Sequence, residues 1–74
     1  MLNEMQKQVI IAMCQNDMSV TRTARAMHYA HNNIQYHVEH IRAQTGLNPR
    51  NFFDMIKLYE MATGGQNNGN EANL

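Results

Sequence analysis

The sequence predicts an all-α fold, a compact four-helix domain followed by a disordered polar tail. No stretch keeps the period-two alternation of β-branched residues that marks a strand. Two polar breaks, Asn16-Asp17-Met18-Ser19 and Thr45-Gly46-Leu47-Asn48-Pro49, divide the chain into segments of helical length. From Gly64 onward the chain is Gly/Asn-rich with almost nothing to bury, which predicts disorder over 64–74. A chain of 74 residues has room for one small core, so the domain is expected to occupy 1–63.

The first helix is expected over about Glu4 to Asn16. Asn3 is its N-cap, and Gln6 is placed to complete a capping box. At 100° per residue, Leu2, Met5, Val9, Ala12 and Met13 share one face. Ile10 and Ile11 fall outside that stripe, so the helix is expected to be covered on more than one side. Ser19 caps a short second helix over Val20 to Met27. The third helix is capped by His31 or Asn32 and runs to about Gln44, where Gly46 stops it in the left-handed conformation.

Within the third helix only Ile34, Val38 and Ile41 form an apolar stripe. Asn32, Tyr36, Glu39, His40 and Ala43 lie opposite, flanked by Asn33 and Gln35. A helix with so narrow a seam and so broad a polar side is built for display. The fourth helix starts after Pro49 or after Asn51, where Asp54 completes a capping box, and ends near Thr63. Its apolar residues Phe52, Met55, Ile56, Leu58, Tyr59 and Ala62 cover about 160°, more than one core contact requires. That width predicts either a central position in the core or a second subunit.

Charge is unevenly distributed. The formal net charge is zero, yet Ser19 to Arg50 holds Arg22, Arg25, Arg42 and Arg50 against Glu39 alone, and also holds all four histidines. An anion-binding surface belongs in that segment. The same segment contains the tightest local pattern of the chain, Thr21 to Val38. Ala24 is small where two helices cross, Met27 and Tyr29 are apolar on either side of the turn, and Ile34 and Val38 seat the next helix on the same core. This is a helix-turn-helix, whose second helix fits a DNA major groove about 12 Å wide.

From Thr23 to Leu47 the chain resembles the C-terminal helix-turn-helix of bacterial PucR/CdaR-type regulators. Thr23, Ala24, Arg25, Met27, His28, Asn32, Ile34, Tyr36, Val38, Ile41 and Thr45-Gly46-Leu47 carry the likeness. A looser similarity, through Thr21-Arg22, reaches Fis-type helices. The resemblance implies a sequence-specific transcriptional regulator that binds double-stranded DNA, with helix 31–44 in the groove. His31, Asn32, Asn33, Gln35, Tyr36, Glu39 and His40 would then face DNA, while Ser19, Thr21 and Arg22 would hold a phosphate. Asn32 and Gln35 carry the amide that pairs with adenine, and Glu39 is an acceptor for cytosine N4. His28 stands at a turn position often held by glycine, a structural role. Family recognition helices are usually arginine-rich around this Asn and Tyr; here Ala30, His31, Gln35, His37, Glu39 and His40 fill those places.

One recognition helix reads few bases, which predicts a homodimer, with Ile10, Ile11, Phe52, Phe53, Ile56 and Tyr59 as its interface. The competing expectation is a helix-turn-helix module that binds a protein instead of DNA, favoured by Glu39 and the missing arginines. No enzyme, cofactor or small-molecule substrate is expected. Cys14 has no cationic neighbour to activate it, and Ser19 is accounted for as a cap. His37 and His40 do not give the i, i+4 metal-binding pair, so no metal is expected. The longest apolar run, Val9 to Cys14, is too short to span a bilayer. A cytoplasmic location is expected.

Overall fold

A computed structural model describes residues 1–64, and the tail expected over 64–74 lies, from residue 65 onward, outside the described residues. Four helices form in order: α1 (Glu4–Gln15), α2 (Val20–Met27), α3 (His31–Thr45) and α4 (Phe52–Ala62). No strand occurs among the described residues. Helix α1 is the hub, packing against α2, α3 and α4, while α2 packs on α3. The core contains Leu2, Val9, Ile10 and Met13 around α1, Val20 and Ala24 from α2, Ile34, Val38 and Ile41 from α3, and Met55, Leu58 and Ala62 from α4.

The capping box at the start of α1 is complete. The Asn3 side chain accepts the Gln6 amide at 2.8 Å, and the Gln6 side chain accepts the Asn3 amide at 2.9 Å. Gln6 is buried, and its Nε2 also donates to Gln44 Oε1 at the far end of α3 (3.2 Å). One side chain therefore starts α1 and fastens it to α3, so its burial leaves no amide atom unsatisfied.

The corner between α1 and α2 is tight. Asp17 and Met18 are consecutive left-handed residues (φ 58° and 59°), and the Met18 amide returns to the Met13 carbonyl at 2.7 Å. Asp tolerates this region, while Met18 gains packing against the core in compensation. Ser19 then caps α2 by accepting the Arg22 amide at 3.1 Å.

Helix α2 stops at His28, also left-handed (φ 60°), and the Tyr29 amide closes the turn on the Ala24 carbonyl at 2.8 Å. A glycine here would relieve the Cβ clash at some cost in unfolded-chain entropy. His28→Gly is expected to raise stability by about 0.5–1 kcal/mol, a melting-temperature gain of roughly 3–6 °C. Thermal denaturation followed by circular dichroism measures it, and an unchanged or lower melting temperature refutes it.

Three expected details are corrected. The N-cap of α3 is Ala30, with no side-chain cap bond, so neither His31 nor Asn32 caps. At α4, Asn51 accepts the Asp54 amide (3.0 Å), but the Asp54 carboxylate accepts the Asn48 amide (3.0 Å) and so ties down the loop around buried Pro49 instead of closing a box. Ile10 is fully buried in the core and cannot belong to a subunit interface. It faces inward because α1 has neighbours on three elements, so its buried arc is wider than one amphipathic stripe. Ile11 is only partly exposed, packed against the same core.

Candidate nucleic-acid interface

Helix α3 is held by the inward residues Ile34, Val38 and Ile41, none of which is exposed at all. Its C-terminus is fixed by Thr45, whose hydroxyl donates to the Ile41 carbonyl (2.7 Å) and accepts the Leu47 amide (3.0 Å), and by left-handed Gly46. Pinned along one seam, the helix turns its other side outward. His31, Asn32, Asn33, Tyr36, Glu39 and His40 are exposed, and Gln35 is half-buried. By helical angle Asn32, Tyr36, Glu39 and His40 share the outward face, with Asn33 and Gln35 on opposite flanks.

Two distinct groups form on this surface. Gln35 Nε2 donates to the Glu39 carboxylate at 3.1 Å, and Arg42 approaches the same carboxylate at 3.8 Å. On the other side, the Tyr36 ring lies 4.7 Å from that of His40 and 5.6 Å from that of His37. Asn32 and Asn33 have no hydrogen-bond partner for their side-chain amides among the described residues. The side-chain amides of this face without an internal bond are therefore those of Asn32 and Asn33, whereas Gln35 and Glu39 engage each other.

The residues expected to hold a phosphate stand together at the start of α2, with one addition. Ser19 is half-buried and occupied as a cap, Thr21 is exposed, and the Arg22 guanidinium is paired with the Asp17 carboxylate. Asp17 was not among the sequence candidates. Its position five residues before Arg22 matches no helical pairing and becomes a contact only through the left-handed corner at Asp17 and Met18. Arg25, also exposed, has no ion-pair partner among the described residues and adds a cation that sequence reasoning left aside.

A second surface lies along α4. Phe52 and Phe53 are 59% and 72% exposed, and Ile56, Tyr59 and Met61 are also exposed. Between this face and the end of α1 runs an open groove of about 660 Å³, bordered by Cys14, Met18, Phe52, Ile56 and Tyr59. Burial raises the pKa of the Cys14 thiol, which disfavours its reactive thiolate. Among the described residues, no group of three or more His, Cys, Asp or Glu is placed to hold a metal ion. No described helix is long and apolar enough to cross a membrane.

Two helices joined by the three-residue turn His28-Tyr29-Ala30, the second presenting a polar outer face, define a helix-turn-helix domain. Residues 8–61 match the family model described as the PucR C-terminal helix-turn-helix domain, and the chain belongs to that family. The match includes all of α2 and α3 and nearly all of α4. No curated protein and no solved structure shows a significant match.

Proposed function

We propose that this domain is a sequence-specific DNA-binding transcriptional regulator of the bacterial cytoplasm, acting as a homodimer with α3 in the major groove. The observation that carries the reading is the outward face of α3, where Asn32 and Tyr36 stand exposed on a helix clamped by three buried aliphatic residues. The free amides at the start of α2, with Thr21 and Arg22, supply a phosphate contact that fixes the register. A mobility-shift titration against duplex DNA at low salt tests it: a shift weakened by Arg22→Ala supports the reading, and no shift for the unaltered domain ends it.

Asp17 sets how strongly that contact acts. Its carboxylate occupies the guanidinium that a phosphate would take, and both groups are well exposed, so the pair itself adds little stability. Asp17→Asn is expected to tighten DNA binding about threefold to tenfold at low salt, and to do nothing when Arg22 is already alanine. Equal effects in both backgrounds would show that Asp17 acts only through general repulsion.

The dimer reading rests on α4. Its exposed apolar side chains present on the order of 500 Å², a large part of the about 800 Å² that each partner contributes to a standard interface. A two-fold axis makes such a surface its own partner, because exposed Phe52, Ile56 and Tyr59 themselves border the adjoining groove. Phe52, Phe53, Ile56 and Tyr59 form this interface, and Ile11 is packed against the core. A second reading, a protein-binding module, is favoured by one observation: Arg22 and Arg42 are both near carboxylates, which lowers the positive potential around α3.

A further inference from the structure

We infer that the half-site read by α3 is an A·T element, with adenine bound by Asn32 and the methyl group of a thymine covered by Tyr36. The inference rests on the DNA-binding reading and specifies its target. Guanine is most often read by arginine or lysine through O6 and N7. Neither residue stands on the outward face of α3, where the side chains are Asn32, Tyr36, Glu39, His40 and Ala43. Arg42 is exposed on the flank of α3, off the centre of that face, and approaches Glu39.

Cytosine needs an acceptor for its N4 amino group, and the only carboxylate on the face is Glu39. That carboxylate already accepts from Gln35 and has Arg42 beside it. Reading cytosine would forfeit those contacts. Gln35 stands half-buried on the flank of α3 with its amide nitrogen drawn to Glu39, which leaves Asn32, central on the outward face and without an internal bond, as the adenine reader. His40 is turned toward the Tyr36 ring.

What remains is specific. The Asn32 amide has no internal partner and no capping duty, and it offers one donor and one acceptor to adenine N7 and N6. Tyr36 follows four residues later, about 6 Å along the axis, which is close to two base-pair steps of roughly 3.4 Å. Tyr36 is 58% exposed, and its ring is the one large apolar surface on this face of α3. The apolar feature that the major groove offers to such a ring is the thymine C5-methyl.

The test uses the full chain and a random duplex pool, followed by atom-level changes in the enriched site. Enriched half-sites should carry an adenine and, one or two base pairs away, a thymine. Replacing that adenine with 7-deazaadenine removes N7 and should weaken binding about tenfold in the unaltered protein but not in Asn32→Ala. Replacing the thymine with uracil removes only the methyl and should weaken binding about threefold, but not in Tyr36→Ala. Both residues are exposed, so both variants retain the fold, checked by circular dichroism. Half-sites centred on G·C pairs, or losses that persist in the variants, overturn the inference while leaving DNA binding intact. A pool from which no duplex is enriched overturns the DNA reading and this inference together.

Discussion

Ile10→Glu is expected to leave the domain unfolded at room temperature. Ile10 is fully buried where α1 meets its neighbours, and nothing cationic lies in the core cluster around it. Placing a carboxylate there costs several kcal/mol through desolvation, or forces it to remain protonated at a comparable penalty. A core of this size seldom supplies more than about 3–5 kcal/mol in total. Far-UV circular dichroism should therefore show the helical signal lost, whereas Ile10→Val should cost only about 0.5–1.5 kcal/mol. Phe53→Glu makes the contrast: that side chain is 72% exposed, so the fold should persist while sedimentation changes from dimer to monomer. A folded Ile10→Glu protein would mean that the core is arranged differently, and an unaltered Phe53→Glu sedimentation profile would remove α4 from the interface.

Asn32→Ala is expected to weaken binding to a selected duplex by about tenfold to a hundredfold, the value of a bidentate amide–adenine pair of roughly 1–3 kcal/mol. Its melting temperature should stay within about 2 °C of the parent, because the amide makes no hydrogen bond within the described residues and the cap of α3 is Ala30. The neighbouring Asn33, rotated away from the centre of the outward face, should lose less than threefold as alanine. Equal losses at the two positions would place the groove on a different side of α3. A large fall in melting temperature for Asn32→Ala would assign it a structural role.

Much of this arrangement was legible in the residue pattern, for a physical reason. The four helices followed from periodicity and caps, both of which act over three or four residues. Asn3 with Gln6, Ser19, Gly46 and the stripe Ile34, Val38, Ile41 are local devices, and each stands where its spacing implied. The misplacements arise where tertiary structure decides. Ile10 looked peripheral because a single-helix stripe takes no account of contacts with three other helices. Asp17 was missed because two consecutive left-handed residues bend the chain back toward Arg22. The start of α3 was misread because Ala30 has no side-chain group with which to advertise a cap. The Gln35–Glu39 bond was not anticipated because an i, i+4 spacing permits a hydrogen bond without requiring one.

Gln44 has a consequence for handling the protein. Its side chain donates to the Met1 carbonyl and accepts from Gln6, so the last turn of α3 rests on the first residues of the chain. Residues added ahead of Met1 adjoin the last turn of α3, and trimming the chain through Gln6 removes both of these contacts. Comparisons of binding strength between preparations therefore need identical leading ends.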